Sequence, residues 1–585
     1  MMSRIAVLSQ NVLNVTSLVR ANLQDDPGNF VLQVARRFKR IVRRLPIASL
    51  VRLPISEVKV RGFLCLLGDQ SSDLESLLNV WKSSSRSVSD GLFLSDVCIA
   101  MHKWDLAEQV LKFLPDSTRT QRRRARLHWQ LGELTKALKL LEEAGSSRQY
   151  LHYLSEFRTL CGADPILQCT ESKSQNASSE SSDVLYFATN SLPATGSGYA
   201  QRTHSILCAL VERDCVPVAV TRAQYPVNIG HVFAREQDKV GAITYRRIFP
   251  FPARHDLSGL LQQQTEELLK LALRSRPTVL HTTTDYSNAL SVRAVARELN
   301  IPWIYEVRGQ LADTWASTRG PDAKQSERYR LFTAREAELA RSADRVVTLG
   351  ESMKSNLIAA GVNADKIDIL PNAVGERFLE DPLPRSNARQ RLALEEGAFY
   401  VGTISSIVPY EGLDIVLRAA ALIKDEIPLL RVLIVGDGAE LENLRKLAVD
   451  LDIERICHFP GRVPRHEAHA YHAALNVFVV PRRDLEVTRA VTPLKPVEAL
   501  ASRVPVLASD LPALRELIVD GENGHLVEPG DERAWADAIV QAQSQPELLD
   551  SMGQRGRELV LNTRTWDANA RHLVEIYEQV TKESR

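Results

Sequence analysis

The sequence has no run of 18 uninterrupted apolar residues, so no conventional helical membrane span is expected. Its seven cysteines (65, 98, 161, 169, 208, 215, 457) form no CxxC pair. An odd, scattered set argues against a disulfide or zinc framework and for reduced thiols. Net charge is nearly absent too: 73 Lys and Arg against 72 Asp and Glu leave +1, so there is no global pull toward nucleic acid or a bilayer. The opening stretch MMSRIAVLSQNVLNVTSLVRANLQDD is broken by polar residues and lacks the apolar centre of a signal peptide. These absences predict a cytoplasmic chain, attached to a membrane surface at most.

The 585 residues exceed what one core supports and predict three or four domains. Residues 1–169 carry no convincing strand pattern and read as a helical domain. Within it Val31, Val34, Phe38, Ile41 and Leu45 fall on one helical face, opposite Arg36, Arg37, Lys39, Arg40, Arg43 and Arg44. That stripe packs on the helices behind it or lies against an anionic membrane or a protein partner. With one aromatic and no binding module, nucleic acid is not expected as a partner. The segments WDLAEQVLKFL (104–114) and GELTKALKLLE (132–142) share a pattern at an offset of 28. They resemble tetratricopeptide-like helical hairpins, though a plain bundle accounts for them equally well. The QRRRAR run (121–126) reads as a solvated helix face. In HEAHAYH, His466, His469 and His472 spread around an amphipathic helix, and no metal site is read there.

Residues 170–182, TESKSQNASSESS, read as a Ser-rich linker. Beyond it, apolar strands alternate with helix-length segments: DVLYFAT, VPVAVTR, PTVLHTT, IPWIYEVRG and ADRVVTLG. The pattern restarts with AFYVGTIS, LRVLIVGDG, ICHFPGRV, LNVFVVP and VPVLASD. This predicts an α/β protein: two tandem doubly wound, Rossmann-like domains at 183–385 and 395–565, preceded by the helical domain. A ligand cleft is expected between the carboxyl ends of the two sheets.

Several stretches resemble one family: VGTISSIVPYEGLD (401–414), LIVGDGAELENLRKLA (433–448), FPGRVPRHEAHAYHAALNVFVVPR (459–482), VTPLKPVEALASRVPVLAS (491–509) and RELIVDGENGHLVEPGD (515–531). With TGSGYAQRTHSI, IPWIYEVRGQLADTWAS and ADRVVTLGESMKSNLIAAG before them, the likeness is to GT-B nucleotide-sugar glycosyltransferases of family 4, the retaining type. It implies transfer of a sugar from a nucleotide-sugar donor to a hydroxyl acceptor, a glycan, a glycolipid or a lipid-linked molecule, the last being frequent in this family. Residues 566–585 would form a helix crossing back to the first α/β domain. Glu498 would accept hydrogen bonds from the ribose hydroxyls, while Lys495 and the helix start around Thr492, Pro493 and Leu494 meet the diphosphate. Loops bearing Gly402, Ser405, Ser406, Gly436, Gly461 and Val463 complete the donor side. On the acceptor side, Gly196 and Gly198 let backbone approach phosphate. Arg202 and His281 could reach the cleft; Glu306 and Arg308 either stand at the cleft edge or form an internal ion pair. Arg308 joins Lys495 and Glu498 as a catalytic candidate.

The sequence departs from the family at three donor contacts: the first glutamate of the acidic pair is Ala490, and the first-loop basic residues are Ser406 and Glu411. Arg482, Arg483 and Arg489 are candidates to restore the charge. No metal and no cofactor are expected, so protein groups would neutralise the leaving diphosphate. Two rival readings use the same fold: a sugar-nucleotide epimerase, and a non-catalytic nucleotide-sensing interaction protein.

Overall fold

The computed structural model describes residues 4–25, 30, 32, 34, 56–68, 71–83, 86–145, 147–167 and 182–584. The basic stripe at 36–44 and most of the serine-rich linker lie outside the described residues. Two sheets organise the rest. The first contains β1 (Val184–Ala188), β2 (Pro217–Thr221), β3 (Gln237–Val240), β4 (Ile243–Arg247), β5 (Val279–Thr283), β6 (Trp303–Glu306), β7 (Arg345–Thr348) and β8 (Ile367–Ile369). Their order is β3-β4-β2-β1-β5-β6-β7-β8, parallel except for the β3–β4 hairpin. The second contains β9 (Phe399–Ile404), β10 (Leu430–Val435), β11 (Cys457–Gly461), β12 (Val477–Val480), β13 (Val506–Ser509) and β14 (Gly524–Val527), in the order β11-β10-β9-β12-β13-β14.

Central strands such as β1 and β5 are buried at every position, which is why they read as unbroken apolar runs. The hairpin β3–β4 and the edge strands β8 and β14 are additions to the sequence reading. The hairpin had a usable signal: Gly241 at positive φ begins a two-residue turn between Val240 and Ile243.

Strand order reverses beside β1 in the first sheet and beside β9 in the second, so the loops after those strands face a common cleft. The helix Gly198–Val211 follows the loop after β1 and is capped by Ser197, whose side chain accepts from the Ala200 N–H. The last helix, Trp566–Ser584, packs Leu573, Ile576, Tyr577 and Val580 into the first domain's core with Val184, Tyr186 and Ile304. The two α/β domains are therefore joined twice.

The helical region is not a separate body. Trp104–Phe113 and Thr118–Leu131 form one hairpin, Leu134–Glu143 and Ser147–Leu160 the next. Thus the two segments matched at an offset of 28 are the leading helices of successive hairpins. Trp129, Leu134, Leu138, Leu141 and Leu160 share one continuous core with Leu185, Phe187, Leu280 and Trp303. The first helix, Arg4–Asp25, leaves the others and docks on the α/β domain: Asn11 Nδ2 donates to the carbonyls of Val232 (3.1 Å) and Ala234 (3.0 Å). The QRRRAR run is not a solvated face. Arg126 is buried and donates to Asp96 at 2.8 Å, and Arg123 bonds the same carboxylate at 2.7 Å. Burial raises the Asp96 carboxyl to about 6 even with Arg123 opposing.

Candidate functional site

Glu498 stands one turn into the helix Lys495–Ala501 and is 6% exposed. Lys495 Nζ donates to its Oε2 at 2.9 Å, an i, i+3 pair. Behind it the fully buried His472 ring lies 3.6 Å from the same oxygen and stacks on Phe478. Burial lowers His472, so the ring is neutral. Burial raises Glu498, but the Lys495 charge outweighs it with help from His472, and the carboxyl falls to about 2. Glu498 is thus an ionised carboxylate at neutral pH, held from behind and opening on a cavity of about 120 Å³ between the domains. Leu494, Arg202 and Arg465 also line that cavity. His472 carried no sequence signal beyond its helical spacing, because its role depends on a neighbour 26 positions away.

Loops at the carboxyl edge of the second sheet bring the remaining donor-side residues together. Ser405 and Thr492 each hold a buried hydroxyl without a hydrogen-bond partner among the described residues. Buried orphan hydroxyls are uncommon in folded proteins and suit groups that meet a ligand. Gly436, at φ 144°, lies where any Cβ would strike the Ser405 carbonyl, so it lets the loops after β9 and β10 meet. Gly402 is placed differently from its sequence reading. It sits within β9, packed on the Leu433 backbone, and serves the sheet. Gly461 and Val463 flank Arg462 just after β11, and Ser406 follows β9.

The arginines nominated to restore phosphate charge are already engaged. Arg482 grips Glu411 with two bonds of 2.9 and 3.2 Å and donates to the Val491 carbonyl at 2.9 Å. Arg483 pairs with Asp414 at 2.8 Å, and Arg489 pairs with Asp484. The family's basic first-loop position has therefore become an acid with its own partner. The triplet Asp450-Leu451-Asp452 ends the helix Leu441–Asp450, with Asp452 turned to Lys424 at 3.2 Å.

On the first domain, four nominated residues prove to be internal. Glu306 is 0% exposed; its Oε1 takes Arg202 at 2.9 Å and its Oε2 takes Arg308 at 2.5 Å and the Tyr186 hydroxyl at 2.7 Å. Burial raises Glu306, yet Arg308 and Arg202 overcome it and hold the carboxyl well below the usual range. His281 is equally buried, stacked on Tyr186 and bonded to the Tyr577 hydroxyl at 2.8 Å. Arg308 and His281 are thus core groups rather than catalytic or cleft residues. Apolar strands deliver these side chains inward, which the one-dimensional pattern cannot distinguish from delivery to an edge. Arg202 does reach the hinge: it donates to the carbonyls of Leu370 (2.7 Å) and Pro371 (3.0 Å) and to Asn372 Oδ1 (3.2 Å). Asn372 in turn donates across the domain boundary to the Thr492 carbonyl at 2.8 Å. Glu516 makes a second bridge, accepting from the N–H groups of Glu351 (2.9 Å) and Ser352 (2.7 Å). Gly196 and Gly198 keep open backbone at the cleft, and the nearest atom to a Cβ built on Gly196 is Arg462 Nη2 at 3.2 Å.

The profile described as "Glycosyl transferases group 1" matches residues 384–559, and "Glycosyl transferase 4-like domain" matches 197–373. The chain belongs to the GT-B glycosyltransferases of family 4. It is 30% identical over 241 residues to the GDP-mannose-dependent alpha-(1-6)-phosphatidylinositol monomannoside mannosyltransferase of Mycolicibacterium smegmatis, covering 41% of this chain and 63% of that one. It is 32% identical over 251 residues to the D-inositol 3-phosphate glycosyltransferase of Nocardia farcinica, covering 41% of this chain and 54% of the relative. The chain thus spans only about three-fifths or less of the length of these curated relatives. Among solved structures, sucrose-phosphate synthase from Thermosynechococcus elongatus shares the fold at TM-score 0.58 and 19% identity, over 68% of this chain and all of the other. Anabaena HepE in complex with UDP does so at 0.54 and 16%, with the same coverage. The family's GT-B frame covers the two sheets, and the helical region precedes it.

Proposed function

We propose that this protein transfers a sugar from a nucleotide sugar to a hydroxyl acceptor, keeping the anomeric configuration. The observation that carries the reading is Glu498: an ionised carboxylate, locked by Lys495 and His472, opening on the interdomain cavity. A carboxylate accepts from two adjacent ribose hydroxyls at once. The orphan hydroxyls of Ser405 and Thr492 lie on the loops that would receive the diphosphate. Two relatives support the donor class, one named for GDP-mannose and one solved with UDP. The acceptor enters from the first domain, closure of the domains excludes water, and protein groups rather than a metal or cofactor neutralise the leaving group.

Glu498→Ala is expected to weaken UDP or GDP binding by roughly 2–4 kcal/mol, the cost of charge-assisted contacts to two hydroxyls. Calorimetry with both nucleotides reads this directly, and unchanged affinity in a folded variant would remove Glu498 from the site. An active enzyme should consume a nucleotide sugar only when an acceptor is supplied. Conversion of the donor sugar to its epimer without acceptor would refute transfer.

The acceptor is lipid-linked and the protein works as a peripheral guest on an anionic membrane. Among the described residues no helix is long and apolar enough to cross a bilayer. The first helix turns Val7, Asn11 and Asn14 to the protein, while Val12 and Leu13 are 45% and 55% exposed. Phe233, on the loop that Asn11 clasps, is 83% exposed, beside the exposed Arg235. The six basic residues at 36–44 follow closely in sequence. Each basic residue near an anionic surface contributes about 1 kcal/mol. Flotation should show binding to phosphatidylserine vesicles at low salt and its loss on changing Arg36, Arg40, Arg43 and Arg44 to Glu. Equal recovery of both proteins in the soluble fraction would rule out this placement.

A further inference from the structure

The donor loops leave a charge problem unsolved. Of the cations nominated from sequence, Arg482, Arg483 and Arg489 are neutralised by Glu411, Asp414 and Asp484, and Lys495 by Glu498. A nucleoside diphosphate brought to this cleft would meet backbone and hydroxyls but no uncommitted cation from that set. Arg462 is different. It is exposed, it lies between Gly461 and Val463 at the end of β11, and it makes no ion pair among the described residues. Its guanidinium crosses the domain boundary: Nη2 is 3.2 Å from where a Cβ on Gly196 would stand, and among the described residues no other atom beyond Gly196 and its chain neighbours comes within 4 Å of that point. Gly196 belongs to the loop between β1 and the helix Gly198–Val211, so Arg462 and that helix start converge from opposite sides.

From this arrangement we infer that Arg462 is the diphosphate-binding cation of this enzyme, reaching from the nucleotide loop of the second domain over the glycine loop of the first. The inference rests on the transferase reading and adds a residue to it. A guanidinium offers two parallel donors to phosphate oxygens, which suits a group that must span a gap and tolerate domain movement. The glycine at 196 has a matching role, since a side chain there would crowd the guanidinium. Because the two partners sit on different domains, bound diphosphate would also draw the domains together.

The test compares UDP with UMP, and GDP with GMP, by calorimetry on the full chain. For whichever base binds, the wild type should prefer the diphosphate. Arg462→Gln should reduce that preference about tenfold while leaving monophosphate affinity in place, and Arg462→Lys should restore part of it. An unchanged diphosphate-to-monophosphate ratio in Arg462→Gln overturns the inference and leaves the transferase reading standing. A variant that fails to fold also overturns it, because Arg462 would then be structural. If the wild type binds none of the four nucleotides, the parent reading fails and this one with it.

Discussion

Glu306→Ala should lower stability by about 3–5 kcal/mol, enough to consume much of what a domain of this size possesses. The carboxylate is fully buried between two guanidiniums that are themselves 2% exposed. Deleting it leaves both charges in a low-dielectric interior with nothing to oppose them. The effect should extend past the first domain. Arg202 holds Leu370, Pro371 and Asn372 in the hinge, and Asn372 holds the Thr492 loop. Even in a partly folded preparation, nucleotide affinity should therefore drop although Glu306 touches no ligand. Glu306→Gln separates the two components, since it keeps the shape and removes the charge. The pH dependence has a defined sign. A carboxyl held below its ordinary value stabilises the fold fully above about pH 4.5, and that contribution fades as pH falls toward the folded-state value. Wild type should lose stability with acid across that window, and Glu306→Gln should show a shallower acid limb. Urea denaturation of the three proteins at several pH values reads both effects. Equal stability of wild type and Glu306→Ala would mean that the network is not buried as described.

The two parallel sheets were legible because their strands are buried on both faces and so stand out as continuous apolar runs between helix-length segments. The hairpin β3–β4 was less visible because its burial alternates and its residues are mostly polar: Gln237, Asp238 and Lys239 on one strand, Arg246 and Arg247 on the other. At the site, Glu498 and Lys495 could be read because they are three positions apart on one helix. Ser405 and Thr492 could be read from the loops that carry them. Roles that depend on distant partners could not. His472 supports Glu498 from another helix, Arg482 is taken up by Glu411 across 71 positions, and Arg202 finds its carbonyls 168 and 169 positions away. The inward set of Glu306, Arg308 and His281 illustrates the converse error. Charged residues near strand ends suggest a cleft, but Tyr577 from the final helix closes over His281 and turns the same residues into core.

The serine-rich segment at 170–182 invites the expectation that residues 183–585 fold alone; the packing predicts that they will not. A protein lacking residues 1–182 should aggregate or expose apolar surface, whereas one lacking only the first helix, residues 1–25, should stay folded. The reason is where the helices pack. Trp129, Leu134, Leu138, Leu141 and Leu160 are at most 8% exposed and lie in the same core as the strands β1, β5 and β6. Burying each such side chain contributes about 1.5–3 kcal/mol, so uncovering the matching face costs on the order of 10 kcal/mol, comparable with the whole stability of a typical domain. Polar contacts add to the loss. Arg293 and Arg335, each 3% exposed, use Asp164 as a partner, and Arg328 pairs with Glu156 at 2.6 Å. Without the hairpins, two buried guanidiniums would lose that carboxylate and fall back on Glu338. The first helix, by contrast, docks through Asn11, Asn14 and Ser17 and, among its described apolar side chains, buries only Val7, so its removal costs a few hydrogen bonds and little apolar burial. Size-exclusion chromatography with dye binding, applied to both truncations beside the full chain, distinguishes them. A monomeric, dye-negative 183–585 fragment with the full chain's melting temperature would show that the shared core is dispensable. The family's two-sheet frame would then be self-sufficient here.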